Sequence, residues 1–249
     1  MAKTSGLGDQ LLVGGRSLGG DIQSIGRVGG GSPTLIELTD ITQYAHARAL
    51  GLVNGEIDLV AYFDSAVGAS HATFAALPTV DTLVTYCHGF ALGAPAANLQ
   101  AKQIGYDGTR GKDGSFTLAV SAVSNGFGLE WGAQVSAGLQ TDTSGTNGTG
   151  VDFTTVSTAF GWQAYLHVSA VVGTNVVVTL QDSADNAAFA NLLGGAFTSV
   201  TSGGAPAWQR LAGGATDTVR RYIRVVTSGT FTSATFLVSF IRNTVAPVF

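Results

Sequence analysis

The chain is short of charge and of cysteine. Only 11% of its 249 residues are Asp, Glu, Lys or Arg, where an ordinary soluble domain carries about a quarter. A net charge of −4 with 12 scattered bases excludes the clustered basic footprint that displaces phosphate counterions, and with it a sequence-reading nucleic-acid binder. The single cysteine, Cys87, excludes an intramolecular disulfide framework and a cysteine-rich metal site. It reads as a small apolar filler. No run reaches the roughly 20 apolar residues of a membrane helix, and the opening MAKTSGLGDQLLVGG lacks the apolar core of a signal peptide. Folding in a cytoplasm, without a membrane partner, is expected.

What fills the chain instead is 45% hydrophobic residues and 35 glycines. Surfaces so poor in charge suit a protein largely covered by copies of itself. Period-two alternation dominates. Leu99, Ala101 and Gln103 alternate with Asn98, Gln100 and Lys102, and Phe116, Leu118, Val120 and Ala122 alternate with Thr117, Ala119 and Ser121. Each run has one wet and one dry face, and Asp-Gly pairs at 107–108 and 113–114 predict a hairpin turn over 106–114. Residues 55–63 alternate too, with Glu56 and Asp58 on the wet face.

One helix is predicted over 69–77, capped by Asp64 or Ser65 and ended by Pro78. Other segments read as a strand over 34–38, an irregular or helical stretch over 40–50, a turn over 51–55 and a strand over 81–89. The eight glycines within 14–32 predict an extended, mobile segment. The polar run QTDTSGTNGTG over 140–150 reads as a linker between domains 1–149 and 150–249. The first carries 7 bases and 12 acids and the second 5 and 4, so the halves differ in charge character. Short strands at 162–170, 175–181, 196–201, 208–211, 218–227 and 231–241 predict an antiparallel β-sandwich for the second domain.

Reactive constellations are scarce. His46, His71, His88 and His167 stand far apart, without helical metal spacing. Cys87 and His88 are neighbours on a strand and face opposite ways. Gly15-Arg16-Ser17-Leu18-Gly19 matches GxSxG but lacks the strand-turn-helix setting of a nucleophile elbow. Asp182 and Asp185 raise a calcium loop, yet EF-hand spacing is missing and a turn is the stronger reading. Trp208, Arg220, Tyr222 and Arg224 form a candidate ligand face for a sugar or carboxylate. No catalytic residue, metal ligand or cofactor is assigned, and the chain is not read as an enzyme.

The opening MAKTSGLGDQLLVGG, the block LVTYCHGFALGAPAANLQAKQIGYDGTRGKDGSFTLAVSAVSNGFGLEWG, and QDSADNAAF followed by VRRYIRVVTSGTFTSATF resemble major tail tube proteins of long-tailed phages with non-contractile tails. The resemblance implies a mainly β fold. A tube domain of two packed sheets, sandwich or barrel, with one flanking helix would be followed by an outer sandwich domain, jelly-roll or immunoglobulin-like. It also implies a virion protein made in the host cytoplasm that self-assembles into stacked hexameric rings. Its partners would be its own copies, other tail proteins such as tape measure and terminator, and DNA in transient passage.

On this reading Glu56, Asp58, Asn98, Gln100, Lys102, Thr117 and Ser121 are candidates for the lumen wall, and Gly14, Gly15, Gly29, Gly30 and Gly31 for an inter-ring arm. A capsid or tail decoration, or a host-glycan adhesin, is the alternative. A hydrolase with an unrecognised site ranks last.

Overall fold

The computed structural model describes residues 5–6, 8–76 and 80–245. The strands are β1 (Gln10–Val13), β2 (Arg16–Ser17), β3 (Ile22–Glu37), β4 (Arg48–Tyr62), β5 (Thr82–Cys87), β6 (Pro95–Gln103), β7 (Asp107–Arg110), β8 (Phe116–Ser124) and β9 (Glu130–Gln134). They continue as β10 (Gln140–Asp142), β11 (Val151–Thr158), β12 (Trp162–Ser183), β13 (Ala190–Ala196), β14 (Val200–Thr201), β15 (Ala207–Ala212) and β16 (Val219–Arg242). One short helix, α1 (Ser70–Phe74), lies between β4 and β5. The fold is mainly β, as the alternation implies.

Contacts divide the chain into two compact units, one of Met1–Gly20, Thr85–Asn98 and Trp131–Phe249, the other of Asp21–Val84 and Leu99–Glu130. This is not the 1–149 and 150–249 division. The polar run over 140–150 is no free linker: β10 pairs with β16 and Asn147 bridges Val226. Serine and threonine, which suit linkers, also sit well on the exposed face of a strand.

In the larger unit β12 and β16 pair from Trp162 opposite Arg242 to Ser183 opposite Tyr222, with register shifts between Val168 and Asn175. The outer edge of β12 takes β15, β14 and β13, and that of β16 takes β9, β10 and β11. Apolar side chains from both ends of the β12–β16 pair, Leu166 and Phe236 with Val178 and Ile223, share one core. The gaps expected between residues 170 and 175 and between 227 and 231 are absent: Gly173 and Gly229 lie inside continuous strands, with register shifts around Gly173. A smaller cluster joins Leu12, Cys87, Ala96 and Leu237.

In the smaller unit β4 is central, pairing β3 on one edge and β8 on the other. The far edge of β8 takes the end of β6 and then β7. Ile57, Leu59, Ala61, Leu118, Val120 and Ala122 are buried along the dry faces as the alternation predicts. The expected turn over 106–114 is narrower than read: Asp107–Arg110 is a strand, and the chain reverses at 111–114, where Asp113 accepts from the Ser115 N–H at 3.0 Å and from its hydroxyl at 2.7 Å. Residues 51–55 are not a turn but the middle of β4.

The helix is shorter than predicted and lacks the predicted cap. Its first amide, Ser70 N–H, donates 2.8 Å to Asp21 from a distant loop, while Asp64 gives its backbone carbonyl to His71 N–H. The expected end at Leu77 and Pro78 lies outside the described residues.

Candidate functional site

The wet face of the smaller unit assembles most of the polar residues picked out by alternation. Register places Asp58 opposite Ser121 and Tyr62 opposite Thr117 across β4 and β8, and Lys102 opposite Val123, which itself stands opposite Glu56. Directly opposed residues project to the same side, so Glu56, Asp58, Lys102, Thr117 and Ser121 share it, with Gln100 two residues before Lys102. The Ser121 hydroxyl lies 2.6 Å from Asp58 Oδ1 and 3.3 Å from Glu56 Oε1. Thr117 is half-buried beside the β7 backbone.

Three further residues on this face escape a reading by alternation. Arg27 stands opposite Asp58 and reaches Glu56 at 2.8 Å. It passes over Gly29, which is opposite Glu56; a Cβ there would lie 2.9 Å from Arg27 Nε. The missing side chain leaves the room that the Arg27 side chain occupies. Asp81 accepts from Gln100 Nε2 at 3.0 Å and from Asn125 Nδ2 at 2.8 Å, with Lys102 Nζ at 3.7 Å. Those hydrogen bonds, aided by the lysine, hold its carboxyl below the usual range. The signal for Arg27 lay in the glycine-rich tract, where the neighbouring glycines argued for mobility. Asp81, just before β5, and Asn125, just after β8, join the face through side-chain hydrogen bonds.

Each base on the face is thus matched to an acid, and Asp58 is left with a hydroxyl partner. The surface is polar, with acids slightly in excess. It offers a phosphate backbone no unpaired cation and no site for counterion release.

Asn98 does not belong to this face. It is fully buried in the larger unit, where its Oδ1 accepts from Thr85 Oγ1 at 3.1 Å and Ser239 Oγ at 2.5 Å. Thr85 in turn meets His167 Nε2 at 2.8 Å, and His167 Nδ1 accepts the Gly15 N–H at 3.1 Å. The accepting Nδ1 fixes the proton on Nε2, and burial pushes the imidazole down to about 3, so it is neutral. Alternation names a polar residue without saying whether buried partners await it.

The candidate arm glycines are likewise placed differently. Gly14 and Gly15, with φ of 58° and 88°, form the two-residue turn of the β1–β2 hairpin, the left-handed pair that glycine supplies without strain. Gly29 and Gly30 pair with Glu56 and Gly55 of β4, and Gly31 continues the same strand. The tract is the β1–β2 turn followed by most of β3, for which β4 supplies backbone partners from Ile22 on.

Nor does a ligand face form. Trp208 is opposite His167, while Arg224 is opposite Gln181, well along β12. Arg220 is bound to Asp182, Arg224 to Gln181 Oε1 and over the Phe189 ring, and Arg221 to Asp152. Packed, partnered arginines are what remains. Asp182 is committed to Arg220, and Asp185 accepts from Ala187 N–H, Ala188 N–H and Ser183 Oγ, which lowers it to about 2 and makes it a turn former. Among the described residues no group of three or more His, Cys, Asp or Glu is placed to hold a metal ion. Cys87 is buried, which pushes its thiol up to about 12, and Ser17 of the GxSxG match sits in the β1–β2 hairpin.

Comparison with known proteins gives no match to a family model and none to a curated protein. Among solved structures the chain is similar to the Dit protein of phage SPP1, described as a paradigm of hub adsorption apparatus in phages infecting Gram-positive hosts, at 12% identity and a TM-score of 0.36 over 94% of this chain and 99% of that one. It is also similar to a chain of the phage p2 baseplate in its activated conformation with Sr, at 10% identity and a TM-score of 0.35, over 94% and 98% of the two chains. TM-scores of this size do not establish a shared fold.

Proposed function

We propose that this chain is a non-enzymatic structural protein of a phage tail that assembles with copies of itself into stacked rings, forming a tube for the genome. The observation that carries the reading is the polar face on β3, β4, β6 and β8, where Arg27 and Lys102 are each matched to an acid. A wall lining a DNA conduit must be wet yet must not hold the polymer, and internally neutralised polar side chains meet both conditions. The sequence resemblance to tail tube proteins and the scarcity of surface charge support the same reading. Glu56, Asp58, Gln100, Lys102, Thr117 and Ser121 are then lumen residues, joined by Arg27 and Asp81.

Negatively stained images of the concentrated protein test it. Stacked rings with an open bore are expected; single rings that never stack fit a tail hub instead, and a monomer under all conditions overturns the assembly reading. The decoration or adhesin alternative would need Trp208 and Arg224 on one face, and they stand at distant positions along β12, opposite His167 and Gln181.

A further inference from the structure

Asn-Gly occurs three times in the chain, at 54–55, 125–126 and 147–148. In this dipeptide the carboxamide is most open to attack by the next backbone nitrogen, because glycine adds no side chain to block the approach. In two of the copies that nitrogen is already committed. Gly55 lies within β4 and its N–H donates 2.9 Å to Ser124 Oγ, whose hydroxyl also reaches Asn54 Oδ1 at 3.2 Å. Gly148 N–H donates 2.8 Å to the Val225 carbonyl, beside the bridge from Asn147 to Val226. The third copy differs. Asn125 is the first residue past β8, held by its own N–H to the Gln100 carbonyl at 2.9 Å and by Nδ2 to Asp81 Oδ1 at 2.8 Å. Gly126 then leaves the sheet with a φ of 80°, its N–H meets no acceptor among the described residues, and a Cβ placed on it would have nothing within 4 Å. Both residues are exposed.

We propose that Asn125 is a site of spontaneous self-modification, the folded chain confining deamidation to this one of its Asn-Gly pairs. The Gly126 nitrogen bonds to Asn125 Cγ and gives up its proton as the Cγ–Nδ2 bond breaks, so a succinimide forms and ammonia leaves. Water then opens the ring at either carbonyl, leaving an aspartyl or an isoaspartyl residue. One water is consumed for each ammonia released, and nothing is oxidised or reduced. The product carries a negative charge where a donor stood. Asp81 loses one of the hydrogen bonds that hold its carboxyl low and gains a neighbouring carboxylate, so its pKa rises. The polar face of the smaller unit, whose bases are matched to acids, thus becomes more acidic as the protein ages. The site is a property of the folded chain and stands whether or not that face lines a tube.

Peptide mapping by mass spectrometry over a time course in mildly alkaline buffer tests it on the full chain, with guanidinium-unfolded chain incubated alongside. In the folded protein the segment holding Asn125 is expected to gain the mass of an amide-to-acid exchange, as a mixture of aspartyl and isoaspartyl forms. It should do so at least about tenfold faster than the segments holding Asn54 and Asn147, whose glycine amides must first be released by local opening. In the unfolded chain the three rates should converge. Asn125→Gln, which would have to close a larger ring, should not give the acidic species that wild type accumulates on anion exchange, and Asn125→Asp should elute with that species. Three results overturn the proposal: native conversion at Asn54 or Asn147 as fast as at Asn125, a folded chain that keeps Asn125 intact while the unfolded chain converts it, or acidic species that form equally in Asn125→Gln.

Discussion

Replacing His167 by Gln gives the sharpest test of the buried polar chain that ties β1–β2, β5, β6, β12 and β16 together. In the native protein the neutral imidazole accepts the Gly15 amide and gives its own proton to Thr85, and burial holds it down to about 3 from an ordinary value of 6.5. The unfolded chain therefore takes up a proton that the native chain refuses. Stability from this group is complete above about pH 6.5 and is lost as pH falls towards about 3, at up to roughly 1.4 kcal/mol per pH unit, or about 3 kcal/mol between pH 7 and pH 4. Glutamine keeps one donor and one acceptor but does not titrate. Urea denaturation of both proteins at a series of pH values should show the variant less stable near neutrality, from imperfect geometry, with the gap closing by about 3 kcal/mol towards pH 4. Carboxylates such as Asp81 titrate in both proteins and cancel in the difference. A gap that stays constant with pH refutes the buried neutral histidine.

Changing Glu56 and Asp58 together to Lys should still permit assembly while slowing genome ejection, most at low salt, because Arg27 loses its partner and the face turns basic; ejection at the wild-type rate across ionic strengths removes these residues from the lumen. Arg220→Ala should cost about 2–3 kcal/mol in chemical denaturation by taking the guanidinium from the buried Asp182, which keeps the amide of residue 220, whereas Arg221→Ala, whose pair with Asp152 is open to solvent on both sides, should cost less than about 1 kcal/mol. Gly15→Ala should destabilise far more than Gly114→Ala, since its Cβ would come within 2.5 Å of the Ala207 carbonyl while nothing lies within 4 Å at Gly114; equal losses in a denaturation series contradict the docked turn. A 1–149 fragment should be insoluble, because it lacks the Leu237 that closes the cluster with Leu12, Cys87 and Ala96; a folded, soluble fragment restores the division at residue 150.

Local pattern determined much of this molecule. Period-two alternation fixes which side chains of β4, β6 and β8 share a side, because successive residues of a strand must point opposite ways, and so Glu56, Asp58, Lys102 and Ser121 were legible as one wet face. The scarcity of charge likewise leaves few cations to gather against a phosphate chain. What alternation cannot carry is partnership between residues distant in sequence. Whether Asn98 meets water or His167's hydrogen-bonded chain depends on β5, β12 and β16. Whether Gly29 and Gly30 are loose or paired depends on β4. The units cut across the sequence halves because a strand is completed by its neighbour's backbone groups, wherever in the chain that neighbour lies. The same holds for the far end of β3 and β4: residues 34–38, 40–50 and 51–55 read as a strand, an irregular or helical stretch and a turn, and only the pairing of Leu35 with Leu50 and of Pro33 with Val53 makes them one ribbon.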